Sequence, residues 1–547
     1  MSSESPACAA PSASTSSGCA RRLPLSANAP SPALVKKLEY GAAPESASSA
    51  EQWIAAHDGK FGLFIDGEFH HPAGRIYEDC VNPSNGKVLC QVMNGDAVED
   101  VNKAVAAARA AYPKWSALTG AQRARHLYAL ARQLQKHQRL LAVVESLDNG
   151  KTVRESRDAD VPLVCRHFYY HAGWAQLMHT ELKDYKPLGV IAQVIPWNFS
   201  LLMAAWKIAP ALAMGNCIIL KPAPSTPLSP LLLAEIAAEA GIPPGVINIL
   251  PGGNDLGFNL VNHVDVDKVA FTGSTGVGRL LRSSTAGSGK KLSLELGGKS
   301  PFMVFEDADL DSAVEGVVNA IWFNQGQVCC AGSRLLVQEC VYDAFLAKLK
   351  RRMDHLRVGD SLDKCSDIGA INSKRQLETV QRYVEIAREE GATVYQSSVQ
   401  PLPTGDGFYF PPTLIYDVQP AHTVVVEEIF GPVVTMMSFR SPAEGIKLAN
   451  NTAYGLASSV WSENVSTCLD MAFKIKAGVV WVNSHNLFDA AAGFGGYKES
   501  GFGRESGREG LLEYCKPKWQ ENVRHSFTEE EKSASWAATI PATPLIP

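Results

Sequence analysis

Residues 323–334 read FNQGQVCCAGSR and set two adjacent cysteines, Cys329 and Cys330, behind a glutamine and a glycine. In cysteine chemistry the thiolate attacks, so a nucleophile here needs polar or electropositive help to lower a thiol pKa from about 8.5. The plainer reading is small core packing, because free cysteine is among the most buried residue types. Two other stretches place reactive side chains in apolar company. Glu295 lies in the run KKLSLEL, where a carboxylate is costly unless it is partnered or used. Gly297 and Gly298 behind it permit a close backbone approach to a ligand. Asn198 follows Pro196 and Trp197 at the end of the apolar run GVIAQVI, and is either a turn cap or a donor aimed at a ligand.

The elements that position these residues are legible from Gly189 onward. Short apolar runs alternate with helical ones: GVIAQVI, a helix through Trp206 to Ala213, CIILK, a helix from about Leu228 to Ala240, VINIL and KVAFT. Buried runs joined by helices predict a βαβαβ unit in a doubly wound parallel sheet covered on both faces. Ligands in such sheets sit at the carboxyl ends of the strands. After KVAFT the stretch GSTGVGR, residues 273–279, places Gly273, Gly276 and Gly278 between a strand and a helix. It departs from GxGxxG and reads either as a tight turn or as a loose dinucleotide loop, with helix N–H groups facing a pyrophosphate. Lys221, at the end of CIILK, is either a solvated charge or a donor to ribose hydroxyls. Further upstream, Asp96 and Glu99 read as an N-cap and capping-box pair that starts a helix.

Composition narrows the class. A chain of 547 residues is too long for one core and suggests two to four domains. With 46% hydrophobic and 20% charged residues and a net charge of −5, it reads as globular, with no pull toward nucleic acid or an anionic membrane. No apolar run reaches the roughly 18 residues of a membrane span. Among twelve cysteines there is no CxxC, so neither a zinc site nor a disulfide framework is signalled and no metal is expected. The first 35 residues are rich in Ser, Ala and Pro and are expected to remain a tail. The cytoplasm is the expected compartment. Arg21 and Arg22 with few acids leave a mitochondrial transit segment as the alternative.

Three further stretches, LELGGKSP (294–301), VIPWNFS (194–200) and EEIFGPV (427–433), join FNQGQVCC and FGGYKESGFGRE (494–505) in order along the chain. Together they resemble the signature set of the NAD(P)-dependent aldehyde dehydrogenase superfamily from roughly residue 60 to 520. LEYGAAPES (38–46), KHQRLLAVVESLDNGKTVRESRDADV (136–161) and DSAVEGVVNAIW (311–322) resemble its family-16 branch, in the first dehydrogenase unit. The resemblance implies an α/β fold with a doubly wound cofactor domain at 56–175 and 189–297 and a second α/β catalytic domain at 298–497. It implies a small oligomerisation element at 176–188 and 498–525, flanked by tails at 1–55 and 526–547.

The same resemblance implies a division of labour. Cys329, two residues after GQ, is the nucleophile, and Asn198 with the Cys329 N–H stabilises the oxyanion. Glu295, 34 residues earlier, is the base that deprotonates the hydrolytic water. Lys221, Gly273, Ser274, Gly278, Trp197, Leu296, Glu428 and Phe430 hold NAD, with NADP as an accepted alternative. Phe199, Met203, Trp206, Val328, Cys330, Phe488 and Phe494 line an apolar access tunnel for an aldehyde. His485 and Asn486 are polar exceptions to which no role is assigned. A segment between 169 and 199 that is shorter than in typical superfamily members implies a homodimer. Two other classes compete: a catalytically silent scaffold of the same fold, because some members of the branch have lost the nucleophile motif, and a cofactor-free thiol hydrolase. The second leaves GSTGVG, Lys221 and Glu428 without a task.

Overall fold

The computed structural model describes residues 42–520. The expectations for Arg21, Arg22, the tail before residue 42 and the linker after 525 lie outside the described residues. The tail expected through residue 55 does not hold over its last part, because Ser48–Ala56 is a helix. Its Trp53 ring lies tilted against Phe61 with centroids 4.6 Å apart, and its indole N–H donates to Glu235 Oε2 at 2.8 Å. Apolar contact of this kind offsets the ordering cost that a Ser/Ala-rich composition by itself does not.

Two sheets organise the described chain. In the eight-stranded sheet the five central strands run parallel in the order Lys291–Glu295, Lys268–Thr272, Val190–Val194, Cys217–Lys221 and Ile247–Ile249. Val190–Val194 and Cys217–Lys221 are fully or almost fully buried, which is why their sequences read as continuous apolar runs. The crossover helices Ser200–Ala213 and Leu228–Glu239 match the periodic stretches between those runs. The strand order reverses at Val190–Val194, which pairs with the next strand in sequence on one side and with Lys268–Thr272 on the other. That reversal opens a crevice at the carboxyl ends of the strands.

The seven-stranded sheet runs Thr393–Gln396, Thr413–Tyr416, Val433–Phe439, Arg334–Gln338, Pro301–Val304, Ala457–Trp461 and Val479–Val482. All its pairings are parallel except the first. Between 176 and 188 the expected boundary falls inside a helix, since Val161–Glu181 is continuous. Only Tyr185–Pro187 remains extended, pairing antiparallel with Cys515–Pro517. Pro187 has no N–H to give to that ladder.

The helix after Asp96 also starts differently. It spans Glu99–Ala117 with Val98 at its N-cap. Asp96 Oδ1 accepts from the N–H groups of Val98 and Glu99 at 2.8 and 2.7 Å. The reciprocal bond to the Asp96 N–H comes from Asp100 at 2.7 Å, rather than from Glu99. Arg75 ties down Asp100 at 2.9 Å, a long-range partner with no local signature.

Candidate active site

The chain leaves strand Val190–Val194 at the crevice and turns through Pro196, Trp197 and Asn198 into helix Ser200–Ala213. Backbone carbonyls of that turn are held from two sides. Asn149 Nδ2 donates to the Trp197 carbonyl at 2.7 Å, and Asn324 Nδ2 to the Asn198 carbonyl at 2.7 Å. The Asn198 amide nitrogen in turn donates to the Gln327 carbonyl at 2.8 Å. Fixed carbonyls on both sides decide where the buried Asn198 side chain points.

The cysteine loop is built under tension. Helix Leu310–Val317 passes into one π-helical turn, Val318–Trp322, a feature that recurs at functional sites. Asn324, Gln325 and Gly326 then take consecutive positive φ angles of 47°, 55° and 72°. Left-handed non-glycine residues persist only where their surroundings fix them, and here they do. The Asn324 N–H donates to Glu155 Oε1 at 2.8 Å and Gln325 Nε2 to the Ala370 carbonyl at 2.9 Å. Gln327 Oε1 accepts from the Asn372 N–H at 3.0 Å. A side chain at Gly326 would stand 2.0 Å from the Gly431 carbonyl. The polar letters of NQGQ are therefore fasteners of the loop.

Cys329 emerges from this loop half-buried, while Cys330 is almost fully buried. The neighbouring Cys329 thiol and burial push the Cys330 thiol well above its usual range, so Cys330 stays protonated and a poor nucleophile. Its carbonyl accepts from His485 Nε2 at 3.1 Å and its Sγ faces Asn486 Oδ1 at 3.6 Å. Burial lowers the His485 pKa to about 3, so this histidine is a neutral backbone clamp. That gives the two polar exceptions a structural task.

Glu295 is the last residue of strand Lys291–Glu295. It is buried, and neither of its carboxyl oxygens has a hydrogen-bond partner among the described residues. Burial first, and then the charge of Glu505, raise its pKa well above the ordinary carboxylate range. An unsatisfied buried carboxyl at a cleft is a marker of function. Nearby, Lys207 and Glu505 form a buried ion pair. The sequence signal for Lys207 is its place as a lysine inside the otherwise almost entirely apolar, wholly buried helix SLLMAAWKIAPALA, which demands a partner.

Asn198, Glu295 and Cys329 all line one cavity of about 910 Å³. Phe199, Met203, Trp206 and Val328 line one side of it together with Cys330, Phe488 and Phe494. Trp206, Phe488 and Phe494 form an aromatic cluster with ring centroids 5.4 to 5.8 Å apart. Trp197, Gly273, Ser274, Leu296, Glu428 and Phe430 also line the cavity. There the Trp197 and Phe430 rings meet edge-to-face at 5.2 Å.

Two residues expected at the cofactor, Gly278 and Lys221, are not among those lining the cavity. Gly278 packs on Leu296, whose side chain would be 2.5 Å from a Cβ there. Lys221 is buried and donates to the Pro222 carbonyl at 3.0 Å, and burial lowers its pKa to about 8.

The remaining groups fit a dinucleotide. Helix Thr275–Ser284 begins at the loop, with Ser274 accepting from the Val277 N–H at 3.4 Å. A Cβ on Gly276 would meet open space, with no atom within 4 Å. The buried Thr272 hydroxyl has no hydrogen-bond partner among the described residues. Glu428 Oε1 accepts from the Gly298 N–H at 3.0 Å, and burial raises its pKa to about 7. A Cβ on Gly297 would stand 2.0 Å from Glu428 Oε2, so that carboxylate reaches its place only across glycine.

The family model described as "Aldehyde dehydrogenase family" matches residues 71–520. Among curated proteins the chain is similar to an aldehyde dehydrogenase, mitochondrial, of Homo sapiens, 42% identical over 471 residues, covering 83% of this chain and 90% of that one. It is likewise 42% identical over 472 residues to an aldehyde dehydrogenase of Agaricus bisporus, covering 84% and 94%. Among solved structures, an NAD+ complex of an aldehyde dehydrogenase from Bacillus cereus superposes with a TM-score of 0.82 at 41% identity, covering 86% of this chain and 98% of that one.

Proposed function

The chain belongs to the aldehyde dehydrogenase family, and we propose that it oxidises its substrate on Cys329, with Asn198 and Glu295 serving the two halves of the reaction. Its activity is the NAD-dependent oxidation of an aldehyde to a carboxylic acid. The observation that carries the residue assignment is the convergence of Asn198, Glu295 and Cys329 on one cavity that has an aromatic side and a side of glycines and Glu428.

In the first half the Cys329 thiolate attacks the aldehyde carbon, a C–S bond forms, and the carbonyl electrons move to oxygen. The Asn198 amide and the Cys329 N–H face that oxyanion, where fixed donors are worth most. When bound, NAD supplies the acceptor for the hydride that the thiohemiacetal carbon gives up, leaving a thioester on Cys329. Glu428 and the Gly273–Ser274 turn would hold the nicotinamide ribose and the pyrophosphate, with Phe430 and Trp197 beside the ring and Lys221 toward the second ribose. In the second half the Glu295 carboxylate takes a proton from water, hydroxide adds to the thioester, the C–S bond breaks, and Cys329 returns as thiolate with release of the acid.

The part of the chain built on the eight-stranded sheet holds the cofactor and the part built on the seven-stranded sheet supplies the nucleophile. The branch is family-16-like, on the stretches 136–161 and 311–322. The assembly is a two-fold homodimer, supported by the short extended segment Tyr185–Pro187. The compartment is the cytoplasm.

The test is NADH formation from a panel of aldehydes, with and without NAD. NADH that requires both supports the reading. A chain that binds NAD but oxidises none of them is a scaffold, and ester cleavage without cofactor as its sole activity makes it a hydrolase.

A further inference from the structure

The far end of the substrate side carries charge. Pro162, Cys165, Arg166 and Tyr169 of helix Val161–Glu181 line the cavity at the i, i+3, i+4, i+7 spacing of one helix face, with Leu163 beside them. Opposite them, the loop after strand Val479–Val482 supplies Asn486, Leu487 and Phe488. Phe488 is anchored between Trp206 at 5.8 Å and Trp481 at 5.7 Å. Asp489 comes next, and its carboxylate forms an ion pair with the Arg166 guanidinium. Both side chains are largely solvated, at 61% and 42% exposure. Asp489 is also fixed by its own loop, accepting from the Ala491 N–H at 2.8 Å. Asp158, an exposed carboxylate among the lining residues, is likewise taken by its neighbour Arg157 at 2.7 Å. Arg166 and Asp158 thus both line the cavity as members of solvent-exposed, mutually neutralised pairs.

We infer that Arg166 and Asp489 set the charge preference for the distal end of the substrate, each cancelling the other. The intact pair favours an aldehyde with an apolar body and an uncharged tail, because a tail carboxylate must displace Asp489 from Arg166 and a tail cation must displace Arg166 from Asp489. Removing either partner leaves the other to recruit its counter-ion. Specificity arises here from an internal competitor, which rejects charged tails of either sign. The inference rests on the proposed aldehyde oxidation and extends it to substrate class.

The test compares the unmodified protein, Asp489→Asn and Arg166→Gln in NADH formation. The substrates are three aldehydes built on the octanal chain, ending in a carboxylate, a trimethylammonium group or a hydroxyl. The unmodified protein is expected to give the highest kcat/KM with the hydroxyl tail. Asp489→Asn should raise kcat/KM for the carboxylate tail, and Arg166→Gln for the ammonium tail. Each gain should be roughly two- to five-fold, the range an exposed ion pair supports, and should shrink as salt screens the charges. The hydroxyl substrate should change less than about two-fold in either variant. Equal effects of both variants on all three substrates, or no effect on either charged tail, overturn the inference while leaving the dehydrogenase reading intact. Absence of NADH from the unmodified protein with every aldehyde overturns the dehydrogenase reading itself.

Discussion

The Asn198 amide donates to the Gln327 carbonyl at 2.8 Å, so the turn after strand Val190–Val194 is fastened to the loop that presents Cys329. One hydrogen bond thereby ties the proposed oxyanion donor on the eight-stranded part to the loop carrying the proposed nucleophile, two residues beyond its anchor. Asn198→Ala removes both the donor and the fastener. The expected outcome is a fall in kcat of roughly 10²–10³ without loss of NAD binding, read by steady-state kinetics beside a cofactor titration. Unchanged kcat would assign Asn198 to structure alone.

Cys329 and Cys330 differ in their surroundings more than in their sequence. Cys329→Ala is expected to abolish both aldehyde oxidation and any esterase activity, because no covalent adduct forms. Cys330→Ala, at a thiol that stays protonated, should keep most of the rate. The reverse pattern would mean that the attacking thiol is Cys330.

Glu295→Gln separates the halves of the reaction. Attack and hydride loss should survive, giving a burst of about one NADH per active site before slow turnover. The variant also carries a stability signature. The folded-state pKa of Glu295 lies above its unfolded value, so the folded state binds the extra proton, and the stability this provides is lost as pH rises from the unfolded pKa through the raised one. The glutamine variant should therefore gain in Tm relative to the unmodified protein by roughly 1–3 °C between pH 5 and pH 9. A difference that shrinks with pH would contradict the raised pKa.

Cofactor choice turns on the stretch after Lys221. Pro224 is exposed there and brings no negative charge to repel a 2′-phosphate, while no arginine adjoins Lys221 to attract one. NAD is expected to be preferred with modest discrimination. A higher kcat/KM with NADP would refute this.

Assembly is expected to stop at a dimer. The segment between helix Val161–Glu181 and strand Val190–Val194 holds a single three-residue strand, whose ladder ends at Pro187. Light scattering at micromolar concentration should report twice the chain mass, and a stable tetramer would defeat the expectation.

The sequence by itself determined what local chemistry encodes. Apolar runs of four or five residues joined by periodic stretches specify buried parallel strands, because both faces of such a strand are covered. The glycines of LELGG mark places where a Cβ would collide with the protein's own site, as at Gly297 against the Glu428 carboxylate and at Gly298 against the Cys329 carbonyl. Only the tertiary structure decided the rest, where a residue's state depends on partners distant in the chain. Asp100 rather than Glu99 closes the cap after Asp96, and both carboxylates are held by Arg75, 24 and 25 residues away. Ser48–Ala56 is ordered because Trp53 finds Phe61 and Glu235. Glu505 lies 210 residues from Glu295, yet its charge helps set the pKa of that carboxyl. The ion pair of Arg166 with Asp489 spans 323 residues. Burial and electrostatics act through space, so residue types and spacings name the reacting groups, while their protonation states and what the tunnel admits are fixed only when the two sheets and their loops are in place.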